Sequence, residues 1–224
     1  MYRYQLIFSK EGLLRYVSHL DLMKTFMRAL RRAGLPLAYS QGFNPHPRFS
    51  IAAPLPVGSA GERELAEVEL TTPVSPEEIR QELNKMLPGG LRVLAVDELP
   101  DRHPPLMSLV EAADYDVYVK LPEAVSPEQV QNGINSLLGQ EQVLIIREKE
   151  GKRRQVDIRP GIGRITAGGY ADGVLVLHMH LALGSRLNVR PEEVVQALAK
   201  IWQVDIPPGS VLCTRKQVNL KLDT

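Results

Sequence analysis

Bulky side chains at Tyr2, Tyr4, Leu6 and Phe8 alternate with Arg3, Gln5 and Ile7, a period of two that predicts a strand over 2–8. The period then changes. Leu22, Met23, Phe26, Met27 and Leu30 recur at helical spacing after Ser18, which reads as an N-cap with Asp21 in the capping-box position. Gly34 is placed to terminate that helix and Pro36 forbids its continuation. Phe49–Ala53 reads as a short strand, and Glu64–Leu70 alternates as a longer one. Ser75-Pro76-Glu77-Glu78 opens a second helix, with a cap, a proline in the first turn and acids at the positive end of the dipole. It stops at Pro88-Gly89-Gly90, and Leu91–Val96 reads as a strand. The order is β-α-β-β-α-β.

Asp101–Leu106 is a polar, proline-rich junction that suits a domain boundary. Beyond it the pattern recurs. Tyr115–Leu121 predicts a strand and Ser126-Pro127-Glu128 a helix start. Gln142–Arg147 and Arg153–Arg159 predict a hairpin across Glu150-Gly151. Val174–Leu183 alternates over a long strand, Pro191-Glu192-Glu193 starts a helix reaching Trp202, and Val211–Leu220 closes the unit. The glycines at 161, 163, 168 and 169 are too irregular for a phosphate loop. The expectation is an α+β protein of two tandem ferredoxin-like (βαββαβ) domains, residues 1–103 and 110–224.

Composition adds three constraints. At 224 residues with 44% hydrophobic and 24% charged residues, the chain has the make-up of a soluble globular protein. The stretch Met1–Lys10 does not resemble a signal peptide and no run approaches about 20 apolar residues, so neither a leader nor a membrane span is expected. The single cysteine, Cys213, excludes an internal disulfide and a Cys-rich metal or iron–sulfur site. It also fits a reducing cytoplasm, so a cytoplasmic protein is expected, with no cofactor and no metal. The net charge of +1 conceals an asymmetry. Residues 1–50 hold eight basic residues against Glu11 and Asp21, whereas 61–101 hold ten acidic ones. A basic face of this kind points to an anionic partner, RNA first, or to an acidic protein surface.

The candidate chemistry centres on Ser40-Gln41-Gly42-Phe43-Asn44-Pro45-His46-Pro47-Arg48. Two prolines fix φ and bias their neighbours to extended geometry, so the loop is stiff and holds Asn44, His46 and Arg48 in set directions. Arg28, Arg31 and Arg32 lie mostly off the apolar stripe of the preceding helix. Together with Arg48 and the Arg153–Arg154 hairpin they are candidate phosphate contacts, with Asn44 and His46 making directional ones. His19, at the start of the first helix, would tend to stay neutral there. Paired with His46, it could cleave a phosphodiester by acid–base chemistry without metal. Basic residues in a last helical turn also have a local reason to be there, the helix dipole. His178 and His180 share one strand face, a spacing open to metal binding and equally to ordinary strand histidines.

The runs Arg15–Met23, Arg28–Pro36, Tyr39–Arg48 and Pro54–Gly58 closely resemble the radical-SAM-linked protein family, bacterial domains without a settled activity. They occur alone or fused to the C-terminal side of a cobalamin-binding-type radical SAM protein. The resemblance is specific over residues 1–60 and looser beyond, where it includes Val156-Asp157-Ile158-Arg159-Pro160. The chain lacks the cysteine triplet of a radical SAM enzyme, so the resemblance implies a stand-alone partner of one. The expected function is RNA-binding accessory protein to a radical SAM enzyme that modifies tRNA or rRNA. The tandem layout is also similar to that of the CRISPR RNA-processing endonucleases, which gives the alternative of a metal-independent ribonuclease using His19 and His46. A protein–protein adaptor for a radical SAM enzyme is the third reading.

Overall fold

The structure, a computed structural model, describes residues 1–121, 125–207 and 209–221. It is a mixed α+β chain of two compact units, Met1–Val110 with Arg215–Thr224, and Glu111–Thr214.

In the first unit the elements are β1 (Tyr2–Lys10), α1 (His19–Arg32), β2 (Phe49–Ile51), β3 (Ala60–Leu70), α2 (Pro76–Met86), β4 (Leu91–Leu99) and the short α3 (Leu106–Leu109). The strands run antiparallel in the order β4-β1-β3-β2, a ferredoxin-like sheet. Alternation in β1 sends Tyr4, Leu6 and Phe8 under the helices, where they meet Leu22, Phe26 and Leu30 of α1 and Ile79 and Leu83 of α2. Phe8 and Phe26 meet edge to face at 4.9 Å between centroids, and Phe49 lies 5.1 Å from Phe26. Burial of this whole apolar cluster, the rings included, is the main favourable term in the unit.

Local signals act as read, with one difference. Ser18 Oγ accepts from the Asp21 backbone N–H at 3.2 Å. Asp21 does not close a capping box; its carboxylate accepts the Ser18 hydroxyl at 2.7 Å and pairs with Lys24 at 3.4 Å. Gly34, at φ +68, takes the left-handed position that ends α1.

One feature of this unit has no local signal. Lys10, Glu64 and Arg215 are 0%, 1% and 1% exposed. Arg215 grips Glu64 through Nε (2.8 Å) and Nη2, and Nη2 also donates to the Ala53 carbonyl at 2.9 Å. Lys10 Nζ donates to the carbonyl of Val17 at 3.1 Å. Gly61 lies against the Glu64 side chain so closely that a Cβ there would sit 2.5 Å from Oε1.

In the second unit, β5 (Val110–Lys120) is followed by α4 (Pro127–Leu138), the hairpin β6 (Leu144–Lys149) and β7 (Lys152–Asp157), then β8 (Ile162–Ala171), β9 (Val174–Ala182), α5 (Pro191–Trp202) and β10 (Val211–Leu220). The order β10-β5-β9-β8 is again ferredoxin-like, and β6–β7 form a separate two-stranded sheet. From Arg215 onward the chain belongs to the first unit, beside β3.

The predicted hairpin is therefore real but stands outside the sheet, as an insertion between α4 and β8. The strand that fills its expected place, β8, was hidden by its glycines. They are packing positions. A Cβ on Gly168 would lie 2.2 Å from His178 Nε2, and one on Gly163 would lie 2.9 Å from His180 Cδ2. Both sit at register shifts, 162/164 and 167/169, where glycine is suited to a bulge.

Candidate nucleic-acid interface

The strand register fixes where each candidate residue lies in the first unit. Tyr2 pairs with Leu70 at one end of the β1–β3 ladder and Lys10 with Gly61 at the other. The chain leaves β1 at the Lys10 end, turns through a 3₁₀ segment at Gly12–Tyr16 and enters α1 at His19. The 14 residues of α1 rise about 21 Å back along the sheet. Leu37 then bridges to Leu70, so the last turn of α1 and the proline-rich loop share the Leu70 end.

The loop is clasped at its base. Tyr39 bridges Pro47. The Ser40 N–H donates to the His46 carbonyl at 2.8 Å, and the His46 N–H donates to Ser40 Oγ at 3.0 Å. Below this clasp, Ala38 N–H donates to the Glu69 carbonyl (2.9 Å) and Glu69 N–H to the Arg48 carbonyl (3.0 Å), anchoring the loop on β3. Gly42 at φ +124 makes the tip, a conformation that other residues rarely hold. Gln41 to His46 are exposed, and the Phe43 ring stands wholly in solvent at 106% exposure.

Arg28, Arg31 and Arg32 are exposed on the last turns of α1 at this same end. Among the described residues none of the three has an ion-pair partner within 4 Å. Arg48 differs: its guanidinium pairs with Glu69 at 3.1 Å. Beside it an open groove of about 580 Å³ is lined by Arg3, Ser40, Arg48, Ser50, Glu67 and Glu69. Arg3 is committed there to Glu67, at 2.8 Å through Nε. The groove is thus nearly charge-balanced, and the unneutralised positive charge lies on α1.

His19 sits at the opposite end of the unit from His46. Eight residues of strand separate the Lys10 and Tyr2 levels, about 26 Å at 3.3 Å per residue. The structure does not bring the two histidines together, and a nuclease dyad made from them has no geometric basis. Burial first, then the Lys10 charge, hold the His19 imidazole below its usual 6.5, and its Nδ1 is buried with no hydrogen-bond partner among the described residues. The folded chain therefore binds fewer protons here than the unfolded chain below about pH 6.5, so the contribution of neutral His19 is full above that pH and lost as pH falls. His19→Gln, which cannot charge, is expected to flatten the dependence of the urea midpoint on pH between about 5 and 7. An unchanged slope would refute the neutral assignment.

In the second unit the hairpin arginines divide by role. Arg147 holds Glu193 of α5 with two contacts of 2.7 Å, and Arg159 binds the Leu138 carbonyl at 2.7 Å, so both are structural. Arg153 pairs with Glu148 at 3.1 Å on the exposed face, and Arg154 is exposed opposite Arg147. His178 and His180 each bond a carboxylate, Asp116 at 2.6 Å and Asp114 at 2.8 Å. Their rings lean toward Gly168 and Gly163 respectively, away from each other. Among the described residues no group of three or more His, Cys, Asp or Glu could hold a metal ion.

Two groups of residues gain weight that the sequence reading did not give them. Phe43 is one: a lone aromatic between Gly42 and Asn44-Pro45 is local signal for an exposed tip. The Lys10–Glu64–Arg215 cluster had no signal, since its members are far apart in sequence.

A family model described as "Uncharacterized protein conserved in bacteria (DUF2344)" matches residues 3–191. No curated protein matches the chain. Among solved structures, a chain from "Crystal Structure of a Cbf5-Nop10-Gar1 Complex" is similar over 96% of this chain with a TM-score of 0.58 and 8% identity. This chain spans 48% of that one, and the likeness is one of fold alone. A chain from "Crystal structure of putative glycine cleavage system transcriptional repressor" aligns over 98% of both chains at 10% identity, with a TM-score of only 0.22. Among the described residues no helix is long and apolar enough to cross a membrane.

Proposed function

We propose that this chain, which belongs to the DUF2344 family of uncharacterized bacterial proteins, is an RNA-binding accessory protein. The observation that carries the reading is the gathering of Arg28, Arg31 and Arg32, which among the described residues hold no ion pair within 4 Å, at the end of the unit that also presents the clasped loop with Asn44 and His46. Solvated arginines gathered on one face are what phosphate contacts require, and the exposed amide and imidazole supply direction. Arg153 and Arg154 are a second, weaker contact in the other unit, because Glu148 already offsets one of them. Arg48 would contribute only by exchanging Glu69 for phosphate. Partnership with a radical SAM enzyme acting on tRNA or rRNA rests on the sequence resemblance of residues 1–60.

A second reading, a protein–protein adaptor, is favoured by one observation. Leu13, Tyr16, Leu20 and Val57 are exposed at the Lys10 end of the first unit. Leu13 and Tyr16 eclipse one another on the 3₁₀ turn, and the Gly58 N–H to Arg15 carbonyl bond (2.8 Å) brings Val57 to that turn. Grouped apolar residues of this size mark interaction surfaces.

One experiment separates the two readings. The protein is isolated from cells with bound material intact, and any RNA is sequenced and re-bound over a salt titration. RNA of one class, bound with an affinity that falls steeply with salt, is the expected result. Protein recovered without RNA, or binding indifferent to salt, overturns the RNA reading in favour of the adaptor.

A further inference from the structure

The exposed ring of Phe43 narrows what kind of RNA fits this site, and we infer that the loop takes an unpaired base, stacked on Phe43, from single-stranded or looped RNA. The inference rests on the RNA-binding reading above and adds the substrate class.

Three observations carry it. First, the Phe43 ring is wholly solvent-exposed, in a chain whose other phenylalanines, Phe8, Phe26 and Phe49, are buried. Second, the exposure is built in. The Ser40–His46 clasp, the Tyr39–Pro47 bridge, Gly42 and two prolines hold the tip away from the core, so the ring cannot fold back onto apolar surface. Third, its neighbours are of the right chemistry. Asn44, next in the chain, and His46, at the base of the loop, are both exposed and carry donors and acceptors for a base edge, and the α1 arginines supply phosphate contacts at the same end.

A phenyl ring has no charge to give a phosphate, and in a duplex each base face is already covered by its neighbours. An aromatic face therefore selects a base that is out of the stack, whatever its identity. A stiff loop adds to this, because the ring need not be ordered on binding.

The test uses the full chain and two fluorescent probes, an oligouridine of about 12 nucleotides and a blunt RNA duplex of the same length, within the site sizes such surfaces cover. The single strand is expected to bind more tightly. Phe43→Ala is expected to weaken single-strand binding roughly tenfold or more and to leave duplex binding unchanged. Phe43→Trp should retain the affinity and lose indole emission as the single strand is added. Equal binding of both probes, or Phe43→Ala acting on neither, overturns the inference while the RNA reading stands, and leaves Phe43 as a contact for a protein partner. Failure of wild-type protein to bind either probe removes the RNA reading itself. Because Phe43 touches no core residue, neither variant is at risk of misfolding.

Discussion

Glu64→Ala is expected to lower stability by about 3–5 kcal/mol, the largest effect of any single substitution considered. The reason is the charge left behind. Glu64 is the acid of the buried Lys10–Glu64–Arg215 group, and it satisfies two guanidinium nitrogens of Arg215. Removing it leaves a guanidinium, which cannot shed its proton, in a site with almost no access to water. Lys10 responds differently. Its ammonium is already held below the usual lysine value by burial, with Glu64 the influence opposing that shift. Without Glu64, Lys10 is pushed further toward the neutral form. The midpoint of urea unfolding reads the loss. A midpoint within error of wild type would show that water reaches the cluster and screens it. The double variant Glu64→Leu with Arg215→Met should recover part of the loss, because an apolar pair strands no charge of its own.

The second large effect is on binding. Replacing Arg28, Arg31 and Arg32 together by alanine is expected to weaken RNA binding roughly tenfold or more and to reduce the slope of log affinity against log salt by about 2, near 0.7 per lost phosphate contact on a single strand. Stability should change by no more than about 1 kcal/mol. The side chains are exposed and hold no ion pair among the described residues, and what is lost is chiefly their favourable position at the C-terminal end of the helix dipole. A salt slope equal to that of wild type would remove α1 from the interface. Read with Phe43→Ala, the two variants separate functions of the same surface: the arginines set the salt-dependent term, and the ring sets the preference for unpaired bases.

The folding grammar was legible from the sequence wherever it is local. The alternation at 2–8, the Ser18 cap, Gly34 and the Ser75-Pro76 and Ser126-Pro127 helix starts each depend on a few neighbouring residues. Such signals survive tertiary context because they satisfy backbone groups within one turn. The α+β order and the ferredoxin-like units followed from stringing them together. The stiffness of the proline-rich loop was also legible, since proline acts on its own φ and on the residue before it.

What the tertiary structure decided is where sequence-distant residues meet. The β1–β3 register, with Tyr2 at Leu70 and Lys10 at Gly61, puts His19 and His46 at opposite ends of one unit, so a dyad that looked plausible as text cannot form. The same register gathers the α1 arginines and the loop at one end. β8 went unread because its glycines answer to His178 and His180 on the next strand, and not to their own neighbours. Arg215 was one basic residue among many until β10 brought it to Glu64. In each case the deciding interaction spans a sequence separation that no local period encodes, and its energy comes from burial, which only the assembled unit provides.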